Sequence, residues 1–177
     1  FEPFLDGRTV EFGAGIGNFA QHILGHVEKL DLVEPSPNLF KQLRHRFDEI
    51  ETVTLIDGTL ENVIPKMPDA SYQCVVIVNV LEHIRDDLTV ISECRRILKP
   101  GGHLLLLVPA LPFLFSKLDQ KVGHYRRYEK GQLKSIMLEG GMKLNKLVYF
   151  DFLGIWPWWL LNTICGATTF NATLIKI

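Results

Sequence analysis

The chain has 177 residues, a formal net charge of −1 and a sequence pI near 6.7. This length suits one α/β domain with a substantial core, over residues 1–177, and the near-neutral balance lacks the basic footprint of a nucleic-acid-binding protein. The three cysteines are widely spaced in apolar surroundings, which argues against a disulfide framework or a zinc site. No signal peptide opens the chain, and no apolar run reaches the roughly 20 residues of a membrane span. We therefore expect a cytoplasmic protein with a small-molecule ligand.

A strand, a glycine-rich turn and a helix start are predicted over residues 9–19. The strand covers Thr9 to Phe12, and the turn has the spacing Gly-x-Gly-x-Gly, which differs from the Gly-x-Gly-x-x-Gly of the dinucleotide fingerprint. Glycines permit positive φ and a close ligand, while free N–H groups at a helix start are donors. Glu11 beside the turn would repel a pyrophosphate but suits an ammonium or sulfonium charge.

Two more strands, Leu30 to Val33 and Thr52 to Ile56, are each predicted to end at an acidic residue. The interval from Gly17 to Glu34 is typical of an acid that meets ribose hydroxyls in a strand-helix-strand unit. The intervening helix is predicted to start at the Ser36 N-cap and to bury four apolar side chains. These are Leu39, Phe40, Leu43 and Phe47.

The run Tyr72 to Val78 is almost continuously apolar, as expected of a central strand buried on both faces. The strand ends at the polar residue Asn79. We expect Asn79 at the same edge of the sheet as the earlier polar strand ends, because ligands of open α/β sheets lie beyond the carboxyl ends of the strands. Leu88, Ile91 and Arg95 indicate the next helix, which is predicted to close through Leu98-Lys99-Pro100-Gly101-Gly102 before a fifth strand over His103 to Val108.

Four motifs in this order carry a resemblance to a known family. They are Glu11 to Gly17, Glu34, Val80-Leu81-Glu82-His83 and Leu98-Lys99-Pro100-Gly101-Gly102. Together they resemble the class I S-adenosylmethionine-dependent methyltransferases of small-molecule type, over residues 9 to about 150. The segment Gly123 to Tyr128, with the letters GHYRRY, is similar to a subgroup often associated with sugar or surface-polysaccharide biosynthesis.

The resemblance implies a Rossmann-like α/β fold with a seven-stranded, mostly parallel sheet, an antiparallel last strand and helices on both faces. Lys143 to Phe150 alternates as a sixth strand, and Ala172 to Ile177 would be the seventh. The chain begins at Phe1 rather than Met, so we expect a preceding segment, which in this family usually helps to cover the active site.

The resemblance also implies S-adenosyl-L-methionine as cofactor. Backbone around Gly13 to Gly17 would hold the methionine part, with its ammonium near Glu11. Glu34 would accept the ribose hydroxyls and Asp57 the adenine amine, although Asp57-Gly58 could instead be only a turn signal. The predicted cofactor-binding residues are Glu11, Gly13, Ala14, Gly15, Gly17, Asn18, Glu34, Pro35, Asp57, Gly58, Thr59, Asn79, Val80 and Leu81.

The acceptor is expected at the aromatic loop Pro109 to Phe115, on the ligand edge of the sheet. Asp119 to Tyr128 is either a solvated surface loop with its own ion pairs or a substrate-facing lid in which an arginine pairs with a carboxylate or phosphate. The predicted substrate-binding residues are Pro109, Phe113, Tyr125, Arg126 and Arg127.

His124 and His83 are the candidate catalytic bases for a hydroxyl acceptor. In the family, however, the Glu82-His83 pair often serves only to fix the strand-to-helix turn. No metal is expected, because Asn79 stands where some metal-binding relatives have an acid.

All three tryptophans lie in an apolar insertion at about residues 151–170, between the predicted sixth and seventh strands. The insertion is too short for a membrane span and is interrupted by Pro157. A core-covering helix or a homodimer patch is favoured over an interfacial anchor that contacts a lipid-linked substrate.

Three functions stay open at this point. The first is a methyltransferase that aligns an acceptor for in-line displacement. The second is a non-catalytic S-adenosylmethionine-binding domain. The third is an NAD-dependent oxidoreductase, which the glycine spacing, Glu11 and the absence of an evident Tyr-x-x-x-Lys pair disfavour.

Overall fold

A computed structural model describes residues 1–149 of the chain. Within that range the strands are β1 Arg8–Phe12, β2 Lys29–Glu34, β3 Val53–Asp57, β4 Tyr72–Val78 and β5 Leu98–Leu107. The α-helices are α1 Asn18–Ile23, α2 Pro37–Phe47, α3 Leu60–Val63, α4 Asp87–Ile97, α5 Lys117–Val122 and α6 Lys130–Glu139. Short 3₁₀ turns lie at Glu2–Phe4, Leu24–His26, Ile64–Lys66, Leu81–His83 and Pro112–Leu114.

The five described strands form one parallel sheet in the order β3-β2-β1-β4-β5. The chain moves outward from β1 through β2 to β3 and then crosses to the other side of β1 for β4. A crevice therefore opens between the carboxyl ends of β1 and β4, which is where ligands of doubly wound sheets bind.

The two faces of the sheet are covered by different helices. Along β4, Val75 and Ile77 pack into a cluster that includes α4 and α6, whereas Cys74 and Val76 pack into one that includes α1 and α2. This alternation follows from the period of two along a strand, and burial on both faces accounts for the apolar run from Tyr72 to Val78. The Rossmann-like α/β prediction is confirmed for the described residues.

The predicted end of α4 was wrong. The helix stops at Ile97 and Leu98 already pairs with Tyr72, whereas the next ladder pair is Cys74 with His103. The residues between Leu98 and His103 form an irregularity in β5, and Gly101 there has φ +83°. Because glycine tolerates this φ, the Pro-Gly-Gly segment bulges out of a strand instead of closing a helix.

In α2, Leu43 and Phe47 are buried as predicted, but Leu39 is exposed. Leu39 belongs to the same i, i+4 row as Leu43 and Phe47 but lies in the first turn, at the edge of the buried stripe.

The predicted sixth strand is not found between residues 143 and 149, which make no strand ladder with the described sheet. Leu147 packs on the core while Val148 and Tyr149 are exposed, so the segment has one half-buried face and no neighbouring strand within residues 1–149. The proposed seventh strand, the tryptophan-rich insertion and Cys165 all lie outside the described residues. Among residues 1–149, no helix has the length and apolar character that crossing a membrane requires.

Candidate active site

The turn after β1 can be made only with glycine at two of its positions. Gly13 and Gly17 have φ of +74° and +82°. A Cβ on Gly13 would overlap Val80 of the turn after β4, and one on Gly17 would overlap Phe47 and Leu43 of α2. The turn therefore packs closely against the turn after β4 on one side and against α2 on the other. Gly15, at φ +59°, faces open space.

Glu34 ties the turn to the end of β2. Its Oε2 accepts a hydrogen bond from the Gly15 N–H at 2.8 Å, and its Oε1 accepts one from the Ser36 N–H, also at 2.8 Å. Glu34 is only 4% exposed. Each carboxylate oxygen keeps a second lone pair, so the side chain can still accept a hydrogen bond from a ligand hydroxyl.

Glu11 is a buried acid at the base of the same turn. It is 2% exposed, and its Oε2 has no hydrogen-bond partner among the described residues. Burial raises the pKa of Glu11 from 4.5 to about 8, because desolvation penalises the charged form. An unpartnered buried carboxyl oxygen beside a ligand turn suits a cationic group.

The other predicted cofactor residues fall on the same edge of the sheet. Asp57 is exposed and is the register partner of Glu34. Asn79 is exposed with φ +53°, and its N–H donates to Leu107 O at 2.9 Å. Backbone in this region at a non-glycine residue is uncommon and is often associated with function.

Several of the predicted cofactor-binding residues also make hydrogen bonds or packing contacts within the protein. The Thr59 hydroxyl caps α3 by accepting from the Asn62 N–H, and the Asn18 side chain accepts from Arg46 at 3.0 Å. Leu81 is fully buried in the core, so only its backbone is available to a ligand. Ala14 is also buried, whereas Pro35 and Gly58 keep partial or full exposure at the same edge.

His124 is held by a buried acid that the sequence analysis did not single out. Asp119 is 1% exposed, and its Oδ1 lies 2.9 Å from His124 Nδ1. Asp119 also accepts from the Ser116 backbone and hydroxyl and from the Arg127 guanidinium at 2.9 Å. Burial would raise the pKa of Asp119, but these hydrogen bonds outweigh it and hold that pKa below its usual value.

Glu82 and His83 face His124 from the turn after β4. Glu82 is fully buried, and neither of its carboxyl oxygens has a hydrogen-bond partner among the described residues. Its Oε1 lies 3.9 Å from His124 Nε2. Burial, aided by the Asp119 charge, raises the pKa of Glu82 to about 7, although Arg127 opposes the change. Burial and the nearby His124 lower the pKa of His83, which favours the neutral imidazole.

The Glu82 backbone does fix the turn, since its carbonyl accepts from the Tyr125 N–H at 2.8 Å. The Glu82 carboxylate takes no part in this. Its burial therefore needs another explanation.

The predicted substrate residues divide into paired and exposed ones. Arg127 is 9% exposed and pairs with Asp119, while Arg126 donates to Asp87 and to the Arg85 carbonyl, each at 2.7 Å. The segment is thus a packed lobe with internal ion pairs and not a solvated loop. Phe113 and Tyr125 are 64% and 48% exposed, and Pro109 accepts from the Tyr128 N–H at 2.8 Å.

A cavity of about 290 Å³ opens beside His83. It lies between α3 and α4, and Ile84, Arg85 and Tyr125 also line it. One side of the His83 imidazole is therefore accessible from outside the core.

Asp119, Glu82 and Arg46 were missed as site residues. Arg46 of α2 donates to the Ile16 carbonyl and to Asn18 and so braces the glycine turn from outside. Ser116 and Asp119 form a capping box, and this Ser-x-x-Asp pattern was the one signal in the sequence that pointed to Asp119 as a structural partner. No sequence signal marks the burial of Glu82 or the reach of Arg46.

The sheet order, the glycine turn and the acids at successive strand ends define a doubly wound α/β domain with a ligand edge suited to a cationic adenosyl compound. The profile of the family described as "Methyltransferase domain" matches residues 10–106. The chain belongs to this family.

A ubiquinone biosynthesis O-methyltransferase of Vibrio cholerae is 27% identical over 144 residues, which cover 80% of this chain and 55% of the relative. A Mycolicibacterium smegmatis protein named "Probable S-adenosylmethionine-dependent methyltransferase" is 32% identical over 152 residues, covering 84% of this chain and 55% of that protein. The chain thus spans about half the length of these curated relatives. A crystal structure of an S-adenosylmethionine-dependent methyltransferase from Mesorhizobium loti has the same fold, with a TM-score of 0.72 at 16% identity and coverage of 88% and 84% of the two chains.

Proposed function

We propose that this chain transfers a methyl group from S-adenosylmethionine to a hydroxyl of a small-molecule acceptor. The observation that carries the proposal is the line of groups along one sheet edge, formed by Asp57, Glu34, the glycine turn with Glu11, and Asn79. These residues are distant in the sequence, yet they end four adjacent strands around the switch point.

The residues present fit the cofactor. The unpartnered oxygen of Glu11 would take the ammonium, and the free lone pairs of Glu34 would take ribose hydroxyls. The exposed Asp57 would accept from the adenine amine, and the Asn79 to Leu81 backbone would line the sulfonium side. When bound, S-adenosylmethionine supplies a methyl group that its sulfonium charge already activates.

The chain's own contribution is alignment of the acceptor and removal of its proton. The acceptor oxygen forms the new bond to the methyl carbon, the carbon–sulfur bond breaks with its electron pair left on sulfur, and the hydroxyl proton is lost. We assign this last step to His124 and His83, whose rings are in contact, and the apolar walls for the acceptor to the exposed Phe113 and Tyr125.

Hydroxyl acceptors are proposed because relatives named as ubiquinone biosynthesis O-methyltransferases match most of this chain. A sugar precursor, suggested by the Gly123 to Tyr128 segment, is the second acceptor class. The two classes differ in hydroxyl acidity, so a panel that pairs catechols with nucleotide sugars separates them.

Thermal shift and calorimetry with S-adenosylmethionine, S-adenosylhomocysteine and NAD test the cofactor. We expect the two adenosyl compounds to stabilise the protein, by about 2.7 kcal/mol at a concentration 100 times their Kd, and NAD to have no effect. Glu34→Gln should weaken their binding by roughly 10- to 100-fold, since a hydrogen bond to a charged group is lost. Glu49→Gln, in the exposed turn after α2, is the matched control and should bind normally. Stabilisation by NAD alone would refute the proposal.

Transfer of a labelled methyl group to the acceptor panel tests turnover. A protein that binds S-adenosylmethionine tightly but methylates no acceptor would favour the non-catalytic binding domain.

A further inference from the structure

Glu82, His83 and His124 form a cluster whose chemistry the proposed function does not fully use. Each offers one ligand atom, and these three atoms all lie within 4.8 Å of one another. The residues come from two separate segments, the turn after β4 and the end of α5, so the fold and not the local sequence brings them together.

We propose that Glu82, His83 and His124 bind one divalent transition-metal ion, with Zn²⁺ as the expected occupant. Two imidazoles and one carboxylate are a known ligand set of catalytic zinc sites, in which a fourth position is left to water or substrate. The ligand atoms of a tetrahedral zinc site lie about 3.3–3.5 Å apart, given bonds near 2.0–2.1 Å. The 3.9 Å between Glu82 Oε1 and His124 Nε2 would close by about half an ångström on binding.

The second, independent observation is the state of Glu82. A carboxylate that is fully buried with both oxygens unpartnered is costly, and it faces the His124 ring nitrogen directly. A cation between them would satisfy this carboxylate, as buried charges are satisfied when they coordinate metals.

The surroundings of His124 match those of a metal ligand. A metal-bound histidine usually donates its other ring N–H to a carboxylate or carbonyl, which fixes the tautomer and orients the ring. Asp119 provides this acceptor at 2.9 Å from Nδ1 and leaves Nε2 directed at Glu82. The Ser116 and Arg127 hydrogen bonds hold Asp119 in turn.

The cavity beside His83 gives an ion or water a route to one of the three proposed ligands. In its last step this inference rests on the proposed function. A metal held by Glu82, His83 and His124 would leave one position for the acceptor hydroxyl and would lower its pKa, so that water could take the proton before the oxygen accepts the methyl group. In that case the two histidines would promote deprotonation as metal ligands, whereas in the metal-free protein they would act as bases.

The test uses the full chain, stripped of metal with a chelator and titrated with Co²⁺ and Zn²⁺. We expect one equivalent of Co²⁺ to give the intense visible bands of a tetrahedral site and Zn²⁺ to displace it. Glu82→Gln and His124→Gln should each weaken binding by at least 10- to 100-fold. His22→Gln, an exposed histidine on α1, is the control and should bind like the wild type.

Glu82→Gln removes an unpaired buried charge, so it should fold, and circular dichroism with an S-adenosylmethionine thermal shift verifies this. Binding below a fifth of an equivalent, or binding that both Gln variants leave unchanged, would overturn the metal site. A protein that binds S-adenosylmethionine and methylates acceptors without metal would overturn it while the proposed function stands. A protein that binds the metal but no adenosyl compound would overturn the proposed function while the metal site stands.

Discussion

Glu11 shows how one buried side chain ties stability to pH. Its carboxyl keeps a proton in the folded protein up to a pKa of about 8, whereas the unfolded chain releases it near 4.5. Between these values the folded state binds more protons than the unfolded state, so the free energy of unfolding falls as pH rises. The protonated carboxyl of Glu11 makes its full contribution to stability below pH 4.5, and this contribution is lost as the pH rises to about 8.

Glu11→Gln should remove this dependence. Relative to the wild type, we expect the variant to gain stability progressively from pH 4.5 to pH 8, by a total on the order of 4 kcal/mol. Urea unfolding without ligand at several pH values measures the difference, and the comparison cancels the effect of Glu82. A difference between the two proteins that does not change with pH would contradict the burial argument.

The same residue predicts how cofactor affinity depends on pH. If Glu11 takes the ammonium of S-adenosylmethionine, binding must release its proton, so affinity should increase as pH approaches about 8. Calorimetry in buffers of different ionisation enthalpy should detect close to one proton released by the wild type below that pH. Glu11→Gln should release none and bind more weakly.

Gly17 carries a steric constraint that Gly25 does not share. Gly17→Ala would place a Cβ against Phe47 and Leu43 at φ +82°, and we expect a loss of about 2–4 kcal/mol in stability together with weaker cofactor binding. Gly25→Ala meets nothing within 4 Å and needs no positive φ, so it should be neutral or stabilising. Denaturant midpoints of the two variants decide the point, and equal midpoints would refute it.

At the scale of elements, α5 and the chain after it are held by one buried acid. Asp119 closes the capping box with Ser116 and pairs with Arg127 and His124, so one carboxylate joins the start of a six-residue helix to the segment that follows it. Such a short helix has little stability of its own, and its order depends on these contacts.

Asp119→Asn should therefore be strongly destabilising. The Arg127 guanidinium would stay buried without its counter-charge, and we expect a loss of about 3–5 kcal/mol by chemical denaturation. Because the pKa of Asp119 is depressed in the folded state, this contribution is present above its ordinary value and disappears as the pH falls through the folded one. Asp48→Asn breaks an exposed pair with Arg44 and should cost less than about 1 kcal/mol. A similar loss in both variants would show that burial does not set the energy.

At the scale of the whole molecule, the sheet order determines which strands open last. β1 and β4 lie between two neighbours each, and their side chains are almost completely buried, whereas β3 pairs only with β2 among the described strands and is partly exposed. Local opening free energies follow burial and ladder position.

Hydrogen exchange followed by mass spectrometry should show this order. We expect amides of β1 and β4 to exchange slowest, at the rate of global unfolding, and those of β3 at least ten times faster. Addition of S-adenosylmethionine should slow exchange in the glycine turn and at the ends of β2 and β3 more than in α6, which is remote from the cleft. Uniform rates across the sheet would mean that the sheet opens as one unit.

Much of the fold was predictable because its signals are local. Tyr72 to Val78 was predicted with its correct bounds from an apolar run, and β1 and β2 to within one residue at each end from a glycine turn and a terminal acid. The start of β5 was not, because the bulge at Gly101 depends on a ladder with β4 that no local pattern reveals. The prediction of the sixth strand was wrong for the same reason. Alternating apolar residues indicate a half-buried face, but they do not show whether a neighbouring strand is present to pair with it.

The site divides in the same way. The positions of Glu11, Glu34 and the glycines at one sheet edge could be predicted because spacing along a strand-turn-helix unit determines where they stand. Their role towards a ligand stays a prediction. The arginines could not, because residue type alone does not tell whether Arg127 meets a ligand or a buried Asp119.

The sequence by itself determined the parallel α/β class and predicted the ligand edge, because strand periodicity, glycine spacing and acids at strand ends act over a few residues, whereas the type of ligand came from the resemblance to a family. Only the tertiary structure decided that Glu82 is buried without a partner and that Asp119 orients His124 towards it. Burial and the meeting of separate segments arise from packing across the whole domain, and desolvation there sets the charge state of each acid.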